Sequence, residues 1–403
     1  MLEERNLIYF GPEKWNGLWR NRHQLMSRFS KLNKVVYVEP RFWLKSIRMK
    51  FSKGEITWRE FYNDITQKRI SKIMNNLYIY HSPIFIPISG RFPFNLITMF
   101  LWKIFLKIAL IKLNIKDPII WLSRPEMVDY IGKFNERFII YHVVDEYLAY
   151  EGVNKKQRKE IWNKEKILLK KADLVIVVSK NLLKSKKRFN KNTYLVPNAV
   201  DFESYSKSLS FIKKLPVDIA KLKKPLIGYS GRIGSKLDFN LLYDMADSHP
   251  EWSLVFVGVV DNRYCEESIE MMKSLKNVYF LGFKNIGILA EYINAFDICI
   301  LPYLINEHSK NISPLKLYDY LALGKPIVAT DIVEVHNFKE VVKIALSKEE
   351  FICHIKEALN ENNANLMQKR ILLASQNTWD DRIKQINELI NLKLNVSKSQ
   401  PSK

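Results

Sequence analysis

The stretch NISPLKLYDYLALGKPIVATD, Asn311 to Asp331, places Lys316 and Asp319 three residues apart, on one face of an otherwise apolar helix. Ser313 has the side chain of an N-cap, and Pro314 suits the first helical position, where its missing N–H would be unsatisfied anyway. From Leu315 the helix is expected to run to Leu323, with Gly324 as its stop and a buried parallel strand in IVAT after it. Such a unit aims free backbone amides at a point before the helix, and an anion is the species a helix N-terminus holds. A solvated ion pair on an ordinary helix is the plainer reading of the same two charges. A second cationic loop is GYSGRIGSK, where Gly231 and Gly234 allow close backbone approach while Arg232 and Lys236 bring positive charge. It lacks G-x-G-x-x-G, which argues against nicotinamide chemistry.

Two further groups carry polar chemistry. YHVVDEY places His142 in a strand's end and Asp145 and Glu146 just beyond it, where a carboxylate can meet a hydroxyl; a core histidine and a helix cap are the alternatives. GPEKWNGLWRNRHQL supplies Trp15, Trp19, Arg20 and His23, a set able to stack on and hydrogen-bond a sugar, or to cap the sheet as ordinary core. Cys265, Cys299 and Cys353 lie far apart without metal-ligand spacing, so reduced thiols in a cytosol are expected and neither a disulfide framework nor a zinc site.

These residues need elements to hold them. Short β-branched and aromatic runs alternate with longer helical stretches, the pattern of βαβ units on parallel sheets. One series has LIYF at Leu7, VVYV at Val35, LYIY at Leu77, IIWL at Ile119, FIIYHVV at Phe138, LVIVV at Leu174 and YLV at Tyr194. A second follows a polar stretch near 204–224, with LIGYS at Leu226, LVFVG at Leu254, VYFLG at Val278, ICIL at Ile298 and IVAT at Ile327. Two doubly wound domains are implied. Ligands of such sheets bind beyond the carboxyl ends of strands, which selects Gly11 to Arg20, His142 to Glu146, Ser230 to Lys236, Phe283 to Lys284 and Pro302 to Ser313.

The chain's 403 residues suit two domains, and 47% hydrophobic content fills two cores. A net charge of +22 admits nucleic acid, an anionic membrane or phosphate-bearing substrates; a lysine-rich genome would give the same excess with no partner at all. The charge gathers in the first half, and no nucleic-acid-binding module accompanies it. MLEERNLIYFG enters a strand directly, unlike a signal peptide. The segment from Pro93 to Leu113 is apolar but holds Lys103 and Lys107, so it is expected to lie on a membrane or on its own domain and not to cross a bilayer.

The Asn311–Asp331 segment resembles the signature of retaining GT-B glycosyltransferases, especially glycosyltransferase family four, in which two glutamates separated by seven residues precede an Ala-x-Gly-x-Pro turn. VPNAVD at Val196, ADLVIVVSKNLL at Ala172 and the Gly231-Arg232 pair are similar to further elements of that family, and the likeness runs from about residue 5 to residue 390. The resemblance implies an α/β GT-B fold of two Rossmann-like doubly wound parallel-sheet domains facing a cleft. Residues 1–205 would bind acceptor and 206–375 donor, a helix at 376–393 would cross back, and 394–403 would form a disordered tail.

What the resemblance implies for function is hexosyl transfer from a nucleotide sugar, such as a UDP- or GDP-hexose, to a glycan or lipid-linked acceptor in envelope polysaccharide assembly. Retention without metal or cofactor is implied as well. Asp319 falls on the second glutamate, which grips ribose, whereas Asn311 replaces the first. Donor contacts fall to Gly231, Lys236, Phe283, Asn311, Ser313, Pro314, Leu315 and Asp319, catalytic roles to Asp145, His142, Arg232 and Lys316, and acceptor contacts to Trp15, Trp19, Arg20 and His23. Negative charge grows on the β-phosphate as the anomeric bond stretches, so fixed cations there lower the barrier. A cytoplasmic enzyme, peripheral on the inner face of the membrane and without nucleic acid, is the resulting expectation. A sugar-nucleotide epimerase of the same fold, a silent glycan-binding relative and a nucleic-acid-binding protein are the alternatives.

Overall fold

The computed structural model describes the whole chain except residues 1–4, 53, 55–56, 90–92, 212–214 and 400–403. Its first sheet contains β1 (Asn6–Phe10), β2 (Lys34–Val38), β3 (Ile70–Met74), β4 (Leu77–Tyr80), β5 (Ile119–Leu122), β6 (Phe138–Val143), β7 (Leu174–Val177) and β8 (Thr193–Leu195). They are ordered β3-β4-β2-β1-β5-β6-β7-β8, and every pairing is parallel except β3 with β4. The second sheet contains β9 (Leu226–Ser230), β10 (Ser253–Val257), β11 (Val278–Phe280), β12 (Ile298–Leu301), β13 (Ile327–Thr330) and β14 (Lys343–Ala345). Its order is β11-β10-β9-β12-β13-β14, parallel throughout.

The central strands are apolar runs because helices cover both of their faces: β5, β7, β9, β10, β12 and β13 are buried at every residue. Each sheet winds outward one way and then returns beside its first strand, which puts the topological switch points between β1 and β5 and between β9 and β12. The loops leaving β1, β9 and β12 carry the segments Gly11 to Arg20, Gly231 to Lys236 and Pro302 to Ser313 singled out above, whereas Asp145 follows β6 and Phe283 follows β11. All twelve strand runs read from the sequence are strands, while β3 and β14 were not foreseen.

The helix Trp379–Ser399 leaves the second half and returns to the first, where Trp379, Ile386, Ile390 and Leu394 share a core with Leu7, Tyr9, Ile119 and Trp121. Helical backbone continues six residues beyond the expected boundary at 393, and the final four of the expected tail lie outside the described residues. At the crossing, Val200 N–H donates to the Asn377 carbonyl (3.1 Å) and Trp379 N–H to the Val200 carbonyl (3.1 Å), so the outgoing and returning strands are bonded to each other.

Candidate active site

The helix Leu315–Ala322 and the turn after β9 meet at one point. Gly231 adopts φ +131°, and a Cβ there would stand 2.9 Å from Lys316 Cε and 3.0 Å from its Nζ; the lysine occupies the space a side chain would need. Behind it, Gly258 at φ +151° leaves room for the Gly231 carbonyl, which a Cβ would meet at 1.8 Å. Lys316 Nζ donates to the Tyr303 hydroxyl (2.8 Å) and lies 4.6 Å from the Tyr229 ring centroid. Burial works against its charge, but the two tyrosines more than offset that and lift its pKa above the lysine norm.

Asp319, one turn along the same helix, faces the Tyr205 hydroxyl. Burial pushes its carboxyl up to about 7 against the pull of Tyr205 and Lys316. The carboxyl is therefore partly protonated near neutrality. Arg232 follows the turn and reaches Asp261 Oδ2 (3.2 Å) in its own half and Glu13 Oε1 (3.7 Å) in the other. Glu13 also meets Arg22 (2.9 Å) and Arg20 (3.9 Å), so three guanidiniums converge on one carboxylate. Burial opposes ionisation of Glu13, yet Arg20, Arg22 and Arg232 hold its pKa below the ordinary value.

Across the same cleft Asp145, just past β6, stands 3.7 Å from Lys236 and 3.6 Å from His308, and it accepts from the Tyr150 hydroxyl (2.8 Å). Burial would raise its pKa, but Lys236, Tyr150 and Arg124 keep it lowered and ionised. His308 is buried with both ring nitrogens free of hydrogen bonds, and burial, with help from Lys236, takes its pKa to about 4. A neutral imidazole with two unpaired, buried nitrogens therefore sits beside a carboxylate.

This arrangement can hold a doubly charged anion at Gly231, flanked by Lys316 and Arg232, and can present a carboxylate to a hydroxyl from the facing half. Residues 224–367 match the family described as glycosyl transferases group 1. TuaH of Bacillus subtilis, named for teichuronic acid biosynthesis as a glycosyltransferase, is 29% identical over 182 residues, which are 44% of this chain and 45% of that protein. The alignment thus spans under half the length of that relative. Sucrose-phosphate synthase from Thermosynechococcus elongatus superposes with TM-score 0.69 at 15% identity, covering 98% of this chain and 100% of that one. Anabaena HepE in complex with UDP and glucose gives TM-score 0.64 at 14% identity over 96% and 100% of the two chains. This chain has the GT-B fold, and its second half is similar to the group 1 glycosyl transferases.

In this GT-B chain the remaining expected residues divide sharply. Ser313 does not cap the helix: Pro314 occupies the cap position without a side-chain bond, and helix begins at Leu315. The Ser313 hydroxyl instead accepts from Asn198 N–H (3.3 Å), while the Asn198 amide donates to the Ser313 carbonyl (2.6 Å), tying the two halves together. A tertiary partner outcompetes the local cap. Asn311, where the resemblance expected a glutamate, is buried and donates to the Glu307 carbonyl (2.6 Å), and Phe283 lies exposed after β11. Lys316 and Asp319 share a face as expected, but the lysine bonds Tyr303 and makes no surface ion pair with Asp319.

His142 is buried in β6 against the edge of Trp121, and burial lowers its pKa to about 3. Trp15 and His23 belong to the core: His23 is fully buried, donates through Nε2 to the Trp15 carbonyl (2.8 Å) and accepts at Nδ1 from Arg20 N–H (2.9 Å). Both of its nitrogens are committed, so as ligand-contacting groups Trp15 and His23 offer no free face. Trp19, stacked on His23 with centroids 4.8 Å apart, and Arg20 are the members of that set that reach the surface. Sequence reasoning missed Glu13 and His308 as individuals, although both lie in loops that the strand-end rule selects.

Proposed function

We propose that this chain is a metal-independent, retaining glycosyltransferase that moves a hexose from a UDP- or GDP-hexose to a glycan or lipid-linked acceptor in envelope polysaccharide assembly. The observation that carries the reading is the Lys316 ammonium set on the strained Gly231 turn at the β9/β12 switch point. A diphosphate resting there would meet Lys316, Arg232 and backbone amides, which stabilise the charge that builds as the nucleoside diphosphate departs. These cations supply positive charge that a divalent ion would otherwise bring. Asp319 would grip ribose hydroxyls and contribute orientation, with Asn311, Pro314, Leu315 and Phe283 lining the donor side.

Residues 1–205 would take the acceptor, with Trp19 and Arg20 on its sugar and Trp15 and His23 as their support. Asp145 would orient the acceptor hydroxyl, and Lys236 and His308 would hold that carboxylate and receive the donor's oxygens. His142 would back the site as a neutral group. Retention follows the family resemblance, with attack on the face the leaving group vacates. The name of TuaH and the UDP-bound state of HepE favour this substrate class, and the enzyme would work in the cytoplasm against the inner face of the membrane.

Calorimetry with UDP and GDP, on the parent and on Asp319→Ala, tests the donor site: a tenfold or greater loss for the preferred nucleotide is expected, and equal affinity would refute the assignment. Asp145→Asn should retain nucleotide binding while transfer falls by about two orders of magnitude. NMR of the first-formed product reads the anomeric configuration directly. Turnover of nucleotide sugar with no acceptor added, giving an epimer and no free nucleoside diphosphate, would favour epimerisation over transfer.

A further inference from the structure

The helix Phe94–Lys112 is partnered on one side only. Thr98, Trp102, Leu106, Ala109 and Leu110 follow a helical spacing and are buried against the first sheet's core. The opposite stripe, including Ile97, Phe100, Ile104, Ile108 and Ile111, faces outward, with Phe100 60% and Ile111 75% exposed. Nine large apolar side chains of this helix are exposed. At roughly 200 Å² each and about half uncovered, they present on the order of 900 Å² of apolar surface, beyond the largest patch of an ordinary monomer.

Charge decides what covers it. The helix carries Lys103, Lys107 and Lys112 and no acid. Lys103 and Lys107 border the outward stripe, and burial together with neighbouring Lys133 and Lys107 lowers the Lys103 pKa, as expected for cations gathered without a counterion. The neighbouring helix Leu44–Ser52, with Lys45, Arg48 and Lys50, also has no acid and buries only Ile47. The two helices start side by side: Leu44 N–H donates to the Ile88 carbonyl (2.9 Å), Ser89 N–H to Asn95 Oδ1 (3.3 Å), and Arg41 lies over Trp102. Although the helix is long and apolar enough to cross a bilayer, its inner face belongs to the domain core and cannot be given up to lipid.

We infer that this face docks in the plane of an anionic bilayer, with the Ile97–Ile111 stripe among the acyl chains and the flanking lysines on headgroup phosphates. The docking does not depend on donor chemistry, so UDP binding, measured on the same samples, separates a failure of this surface from a failure of the active site.

Flotation of the full chain with vesicles tests it. Binding is expected to phosphatidylcholine vesicles containing about 30% phosphatidylglycerol, and weakly to phosphatidylcholine alone. Phe100→Ser/Ile104→Ser/Ile108→Ser should lower the vesicle-bound fraction at least tenfold with circular dichroism and UDP binding unchanged. Should that variant fail to fold, Lys103→Gln/Lys107→Gln serves instead and should weaken binding and flatten its salt dependence. Undiminished binding by either folded variant would overturn the inference. So would resistance of the bound chain to alkaline extraction, which indicates a spanning helix. A parent that ignores vesicles but forms a dimer broken by the serine substitutions would show that a second copy covers the face, and this too would overturn it.

Discussion

Gly231→Ala isolates the contact on which the proposed donor site rests. The new methyl would lie 2.9 Å from Lys316 Cε in a backbone conformation, φ +131°, that residues with a side chain rarely adopt. The backbone strain should destabilise the chain by about 1–3 kcal/mol, read as a drop in unfolding midpoint. Lys316 is the far end of a flexible chain and would swing aside, so its charge would leave the diphosphate position. A hydrogen bond to a charged group contributes about 1.5–3 kcal/mol, which corresponds to a roughly 10- to 150-fold weaker UDP affinity. Calorimetry on Gly231→Ala, Lys316→Met and the double variant forms a cycle. If the alanine acts through the lysine, the double variant binds UDP no worse than Lys316→Met alone. Fully additive losses, or parental affinity in Gly231→Ala, would refute the reasoning.

Asp319 and Glu334 are both pushed up to about 7 by burial, Glu334 against the Tyr318 hydroxyl that donates to it (2.8 Å). A carboxyl raised on folding stabilises the fold while protonated, and that contribution is lost as pH rises through about 7; urea midpoints should therefore fall from pH 5 to pH 8, and less steeply in Asp319→Asn. UDP affinity should move the opposite way, rising with pH as Asp319 ionises to meet ribose, and Asp319→Asn should be flat in calorimetry. Arg232→Ala should lower kcat more than it raises the donor KM, because in the proposed reaction the charge it would meet grows in the transition state. Lys186 bonds the buried carboxylate of Glu165 (3.0 Å) and Glu146 (2.9 Å); Lys186→Met strands both and should destabilise the chain by about 3–5 kcal/mol by denaturant titration.

The sheets were legible because buried parallel strands are written as unbroken β-branched runs. β3 escaped because ISKIM pairs antiparallel at an edge with its last three residues exposed, so its apolar content is diluted, and β14 has only three residues. At the site, the turn at Gly231 and the Lys316/Asp319 face could be read because glycine and charge break an apolar pattern. His308 left no such mark: a lone histidine in a loop acquires meaning only when folding brings it to 3.6 Å from Asp145. Trp15 and His23 show the converse, since residue types that suit sugar recognition also fill cores. Ser313 satisfied the local rule for a cap, but its partner Asn198 lies 115 residues away in sequence.

The paired crossing at Val200 and Asn377–Trp379 constrains how the cleft can open. A single tether would let one half swivel freely about the other, whereas two backbone segments laced edge to edge bend easily only about the line they define. Admission of donor and escape of nucleoside diphosphate would then follow one arc. The Arg232–Glu13 and Lys236–Asp145 contacts, which join the two halves, would part together along that arc.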